Sequence, residues 1–199
     1  MCHTICPLRR LILRKRFARM EISELKAKLE KLHPASFGWA LSCCRQNHSD
    51  AEEVLQMVYL KILQGKAVYR GESKLQTWLF AVIRKTAISE RRKQLLRNLS
   101  SIVSPGNSPS VEVDFDRSEM QRRFQEELAK LPARQRETLH LVFYQDLSLS
   151  EAAEVMNVSV GSARRHYERG KKRLREALDR EGVDYGVGWR RKENSGAVL

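Results

Sequence analysis

Residues 159–180 hold eight cations against three acids, whereas residues 136–158 hold one cation against four acids. The sign of the charge reverses across a single predicted turn. Leu147 to Met156 reads as a short helix with an acidic face. Asn157-Val158-Ser159 reads as a tight turn, since Asn tolerates the left-handed conformation. Val160 to Leu174 reads as a second helix bearing Arg164, Arg165, Arg169, Lys171, Lys172 and Arg173. The small residues Ala152, Ala153, Gly161 and Ala163 let the two helices cross closely, and Ala152, Val155 and Met156 can pack on Val158, Ala163 and Tyr167. This is the layout of a helix-turn-helix whose basic second helix enters a DNA major groove. A solvated basic helix in an ordinary bundle has a similar composition, but the reversal of charge favours DNA.

A second cluster mixes aromatic and cationic side chains. Tyr69, Trp78 and Phe80 lie among Arg70, Arg84, Lys85, Arg91, Arg92 and Lys93. Aromatic faces between cations suit the unstacked bases of a single strand. Trp78 fits two readings equally, because it is also in helical register with Leu75, Leu79 and Val82 and so suits a core position.

Enzyme chemistry finds little support. Glu52-Glu53 and Glu126-Glu127 are adjacent pairs, which a helix points in different directions. His3, His33, His48, His140 and His166 show no metal-ligand spacing. Cys2, His3 and Cys6 would need Cys43 and Cys44 to complete a metal site, and there is no C-x-x-C pair. No phosphate-binding glycine loop or nucleophile elbow is present. The expectation is a protein without catalytic residues, metal or cofactor.

The elements that carry these clusters are read as helices throughout, because no strand alternation occurs. The chain has 199 residues, 42% of them hydrophobic, enough for one ordinary or two small domains. Its formal net charge of +13 points to a polyanionic partner, nucleic acid before an anionic membrane surface. No apolar run approaches the eighteen or so residues of a membrane span, and the few cysteines suit a reducing, cytoplasmic setting.

Helical spacing begins near Met20 with Ile22, Leu25, Leu29 and Leu32; Pro34 is expected to interrupt it before a second stretch through Phe37, Ala40, Leu41 and Cys44. Ser49 or Asp50 is the expected cap of the next helix, whose apolar face is Ala51, Val54, Leu55, Val58, Ile62 and Leu63. A helix from about Leu75 to Asn98 follows, with Arg84, Lys85, Arg91, Arg92 and Lys93 on its solvated side. Residues 99–117, with Pro105 and Pro109 among several serines, read as a flexible linker. The fold class is therefore all-α, with two small helical domains at 20–98 and 118–181. A basic extension (1–19) and a tail (182–199) are expected to be disordered. Translation could begin at Met1 or at Met20.

Several of these segments together resemble one family. Asp50-Ala51-Glu52-Glu53-Val54-Leu55-Gln56, Tyr69-Arg70-Gly71-Glu72-Ser73 and Thr77-Trp78-Leu79-Phe80 are similar to region 2 of bacterial sigma factors. Leu131-Pro132-Ala133-Arg134-Gln135-Arg136-Glu137, Leu147-Ser148-Leu149-Ser150-Glu151-Ala152-Ala153 and Gly161-Ser162-Ala163-Arg164 are similar to region 4. The order, the short length and the bare linker resemble the extracytoplasmic-function (ECF) group of the sigma-70 family.

The resemblance implies a non-enzymatic subunit that binds core RNA polymerase and directs initiation at promoter DNA, together with a cognate anti-sigma factor as a further partner. It implies polymerase contacts at Asp50, Glu53 and Gln56. It implies −10 contacts at Tyr69, Arg70, Gly71, Trp78, Arg84, Lys85, Arg91 and Arg92, with the loop taking a flipped base and the helix lying on the melted strand. It implies −35 contacts at Ser162, Arg164, Arg165, Arg169 and Lys172. The sequence departs from the family pattern at Met57 (often Glu), Lys85 (usually Asn), Ser89 (Asp) and Ser162-Ala163 (Thr-Val). A stand-alone helix-turn-helix regulator is the alternative; it leaves the aromatic and basic helix of the first half unexplained.

Overall fold

A computed structural model describes residues 22–100 and 119–180, with side chains described for 23–97 and 123–180. The expected basic extension, most of the linker and the tail lie outside the described residues. Seven helices, and no strand, occur among those described: α1 (Ile22–Cys43), α2 (His48–Leu63), α3 (Leu75–Ser100), α4 (Glu119–Lys130), α5 (Ala133–Phe143), α6 (Leu149–Met156) and α7 (Val160–Arg180).

The sequence reading placed an interruption at Pro34, but α1 runs through it without a break. Proline removes one N–H from the helix ladder and typically costs about 3 kcal/mol. Pro34 is exposed, while Leu29 before it and Trp39 and Ala40 after it are buried. Packing on both sides of the proline thus holds the helix together. The cap of α2 also differs from expectation. Arg45 and Gln46 both take positive φ, 56° and 66°, and turn the chain early. Asn47, rather than Ser49 or Asp50, then becomes the cap, its side chain accepting from the Asp50 N–H at 3.0 Å. Ala51, Val54, Leu55, Val58 and Ile62 are buried as expected, but Leu63, at the helix end, is 71% exposed.

In α3 the first three turns bury Leu79, Phe80, Ile83 and Ala87. No residue from 88 to 97 is buried, so the basic second half of this helix is solvated. Phe80 was expected among the stacking aromatics; it is instead fully buried.

The two halves share one core. Leu29, Trp39, Val58, Phe80 and Ile83 pack in the same apolar cluster as Leu141, Leu147, Ala152, Val155 and Met156. α6 packs on α3, and α5 packs on α1. A smaller cluster, Leu128, Leu131, Leu139, Tyr167, Leu174 and Leu178, joins α4, α5 and α7.

Candidate nucleic-acid interface

The turn between α6 and α7 forms as its residues dictate. Ser148 and Glu151 make a reciprocal capping box at the start of α6. Asn157 ends α6 at φ 52°, ψ 55°, and its N–H donates to the Ala153 and Glu154 carbonyls. Ser159 then starts α7, its hydroxyl accepting from the Ser162 N–H at 3.2 Å.

Ala163, Tyr167, Gly170, Leu174 and Leu178 form the buried stripe of α7. That stripe fixes the opposite face: Arg164, Arg165, Arg169 and Lys172 are exposed, and Ser162 is half-buried. Arg165 Nη2 donates to Ser162 Oγ at 3.3 Å, which orients the guanidinium along the first turn. Partial burial, then the Arg134, Arg165 and Arg169 charges, hold the His166 imidazole below its ordinary pKa. This face is therefore electropositive without help from histidine. Gly170 is a residue the sequence reading passed over. A Cβ there would lie 3.1 Å from both Gln135 Cβ and Leu139 Cδ1, so glycine permits α7 to lie close on α5.

The second surface surrounds the start of α3. The Tyr69 hydroxyl donates to the Ser73 carbonyl at 2.6 Å, closing the loop on itself. Gly71, at φ +74°, takes a conformation that favours glycine, and the space beside it is open. The Tyr69 and Trp78 rings lie 5.4 Å apart at 57°. Trp78 is half-buried against the core and keeps part of its ring at the surface. Arg70, Lys85, Arg91 and Arg92 are exposed.

Arg84 departs from this pattern. The sequence reading put it on the solvated side of α3; its side chain is only 10% exposed, and Nε donates to Glu137 Oε2 at 3.1 Å. Helical spacing explains the placement: residue 84 follows Phe80 by four and precedes Ala87 by three, and both are buried.

A third surface runs along α2. Glu53 and Gln56 are exposed, and with Glu52, His33, Phe37 and Tyr59 they line a groove of about 730 Å3 between α1 and α2. Asp50 is half-buried in the first turn, just before the groove. Leu60, which the sequence reading did not single out, and Leu63, which it placed on the apolar face of the helix, are 52% and 71% exposed and extend this face with apolar surface.

Cys43 and Cys44 are free thiols. Burial pushes Cys43 well up and Cys44 up to about 12, so neither is a ready metal ligand or nucleophile. Among the described residues there is no group of three or more His, Cys, Asp or Glu able to hold a metal ion, and no helix is long and apolar enough to cross a membrane. Cys2, His3 and Cys6 lie outside the described residues.

Residues 29–96 match the family model for sigma-70 region 2, and residues 121–174 match that for sigma-70, region 4. RNA polymerase sigma factor SigZ of Bacillus subtilis (strain 168) is 26% identical over 133 residues, covering 67% of this chain and 75% of its own length. ECF RNA polymerase sigma factor SigW of the same organism is 26% identical over 146 residues, covering 66% and 77%. The sigma factor RpoE of Bartonella quintana, solved in complex with the anti-sigma factor NepR, superposes with a TM-score of 0.63 at 24% identity, over 79% of this chain and 98% of RpoE. With both regions matched in order on one chain whose described residues form helices and no strand, this protein belongs to the ECF group of the sigma-70 family of sigma factors.

Proposed function

We propose that this chain binds core RNA polymerase in the cytoplasm and gives it promoter specificity, contributing no catalytic group of its own. The observation that carries the reading is the pairing of two different cationic surfaces on one chain. One is a helix-turn-helix with Arg164, Arg165 and Arg169 on its open face, suited to base edges in a duplex major groove. The other is the loop at Tyr69, Arg70 and Gly71 followed by Trp78, Lys85, Arg91 and Arg92, where rings and charges suit an unstacked strand. A factor that works while DNA is being melted needs both.

The acidic and apolar face of α2, with Asp50, Glu53 and Gln56, is assigned to the polymerase, because it is a mixed surface of the kind that meets protein rather than phosphate. Regulation by a cognate anti-sigma factor accompanies this reading, supported by the RpoE relative, which was solved with one. A stand-alone regulator would need neither the single-strand surface nor the α2 face.

The test is run-off transcription with purified core polymerase, with and without this protein, on a library of promoter fragments. Sequence-specific transcripts that require the protein support the reading. Promoter binding that is equally tight without polymerase, with no gain in specific transcripts, overturns it.

A further inference from the structure

The stripe of α7 that carries the cations also carries an acid. With Ala163, Tyr167, Gly170 and Leu174 turned inwards, the exposed residues recur three and four apart at Gly161, Arg164, Arg165, Glu168, Arg169 and Lys172. Glu168 lies one turn beyond Arg164 and one turn before Lys172, in the middle of that stripe, and it is the sole acid from 160 to 175. Its side chain is 57% exposed. Its one ion pair among the described residues is with Lys171 Nζ at 3.6 Å, too long for a hydrogen bond. That amine stands over the Tyr167 ring, 5.4 Å from its centroid. The carboxylate therefore keeps its acceptor capacity in the midst of the duplex-reading face.

An acid at such a place works against general DNA affinity. Against phosphate a carboxylate is repelled, so it weakens every complex in which it meets only backbone. Base edges differ. In the major groove guanine N7 and O6 and thymine O4 accept, and the donors are the exocyclic amines, adenine N6 and cytosine N4. A carboxylate only accepts, so it gains at an amine and is repelled at the other edges. The two amines also differ in their neighbours. Adenine N6 stands beside N7, a second acceptor, which suits a side-chain amide; cytosine N4 has no acceptor beside it on its own base. An arginine next to the carboxylate supplies donors for guanine. Arg164 or Arg165 with Glu168 thus matches the donor and acceptor pattern of G·C pairs.

We propose that Glu168 is a specificity-determining residue of the α7 face: its carboxylate accepts from cytosine N4 in the major groove and excludes thymine from that position. This rests on the assignment of α7 to duplex promoter DNA. The acid lowers affinity for DNA at large and recovers it only where cytosine is present, so it contributes selectivity that the flanking cations alone lack.

The test uses the full chain bound to core polymerase, with a duplex library randomised over the upstream element. Wild type should enrich cytosine at one position that Glu168→Ala flattens about tenfold, leaving the other positions as they were. Glu168→Gln should move that position towards adenine, whose N6 and N7 an amide meets together. Glu176→Ala, which removes another exposed acid of α7, should change no position. A Glu168→Ala variant that binds all sequences more tightly and keeps every preference overturns the proposal, because the acid then only repels phosphate. Loss of an adenine or guanine preference, with cytosine unaffected, overturns it as well.

A second measurement isolates the atom. In a single duplex carrying the enriched sequence, the cytosine is replaced by 2-pyrimidinone, which lacks the 4-amine. Wild type should lose severalfold more affinity than Glu168→Ala, the excess being the coupling between carboxylate and amine. Equal losses overturn the proposal. If the wild-type complex enriches no sequence at all, the sigma reading fails and this inference fails with it; enrichment that ignores Glu168 defeats the inference alone.

Discussion

The Trp39 indole and the His140 imidazole face each other across the two halves, ring centroids 5.4 Å apart and planes 35° apart. Trp39 is fully buried and donates from Nε1 to the Phe80 carbonyl at 3.0 Å, which ties α1 to α3. His140 also stacks on Tyr144 at 5.1 Å and lies 3.3 Å from the Gln145 amide. Burial lowers its pKa to about 4 from an ordinary 6.5.

This gives the interface a pH dependence whose sign is fixed. The folded state disfavours the imidazolium, so the unfolded or opened chain binds the proton more readily. Stability is then complete above about pH 6.5 and declines as pH falls, by roughly 3 kcal/mol at pH 4. Urea melts at pH 7, 6, 5 and 4 should show that decline, and His140→Phe should flatten it over the same window. An equal slope in His140→Phe would place the titrating group elsewhere.

Glu151, a carboxylate of the same interface, behaves oppositely to the imidazole. The hydrogen bond from Lys74, then those from Ser148, hold Glu151 down to about 2 from an ordinary 4.5. Here the folded state favours the anion, so the contribution is present above about pH 4.5 and is lost as pH falls towards 2. Carboxyl NMR of Glu151 should show no titration between pH 7 and 4. Lys74→Met should move its pKa back up, while Ser148→Ala should lose about 1 kcal/mol of stability through the cap. If Lys74→Met leaves the Glu151 titration in place, the ion pair does not form in solution.

Much of this was legible in the sequence, for reasons that differ by element. The helix-turn-helix was readable because its turn, cap and charge reversal are all local: Asn157, the Ser148-x-x-Glu151 spacing and the cations of α7 lie within one short segment. Arg84 was misplaced because its surroundings are not local. Its partner, Glu137, is 53 residues away, and residue type alone argues for solvent. The shared core has the same origin, since Leu141 and Met156 bury equally well against either half. Pro34 misled because a local breaker was outweighed by packing along both neighbouring turns of α1.

Gly170 offers a sharper test of the second half. Alanine is the better helix former by about 1 kcal/mol, and at an open helical glycine the change would stabilise. At Gly170 the added methyl meets Gln135 Cβ and Leu139 Cδ1 at 3.1 Å, closer than carbon contacts settle. Overpacking of this kind costs about 1–3 kcal/mol. Gly170→Ala should therefore destabilise despite its propensity, and Gly161→Ala, with open space around it, should not. Denaturant midpoints of the two variants settle the comparison; a stabilised Gly170→Ala would mean that α5 and α7 are less closely packed.

On the proposed reading, the exposed face of α7 divides into side chains that meet bases and side chains that meet backbone. Arg165 and Arg169 are one turn apart on the exposed side of α7, with Arg164 beside them; the proposed docking leads the helix N-terminus into the groove. A bidentate Arg–guanine contact is worth about 1–3 kcal/mol of discrimination, and a lysine contact to phosphate carries almost none. Arg165→Ala and Arg169→Ala should each flatten preference at one −35 position, the loss appearing as a narrowed spread across a substitution panel. Lys172→Ala should weaken all sequences alike and reduce the salt dependence of binding by about one ion. The Ser162 hydroxyl that holds Arg165 at 3.3 Å predicts an intermediate result for Ser162→Ala: the preference at the Arg165 position should blur without disappearing. A panel that shifts uniformly for both arginine variants would make them phosphate ligands and move base reading to other residues of the helix.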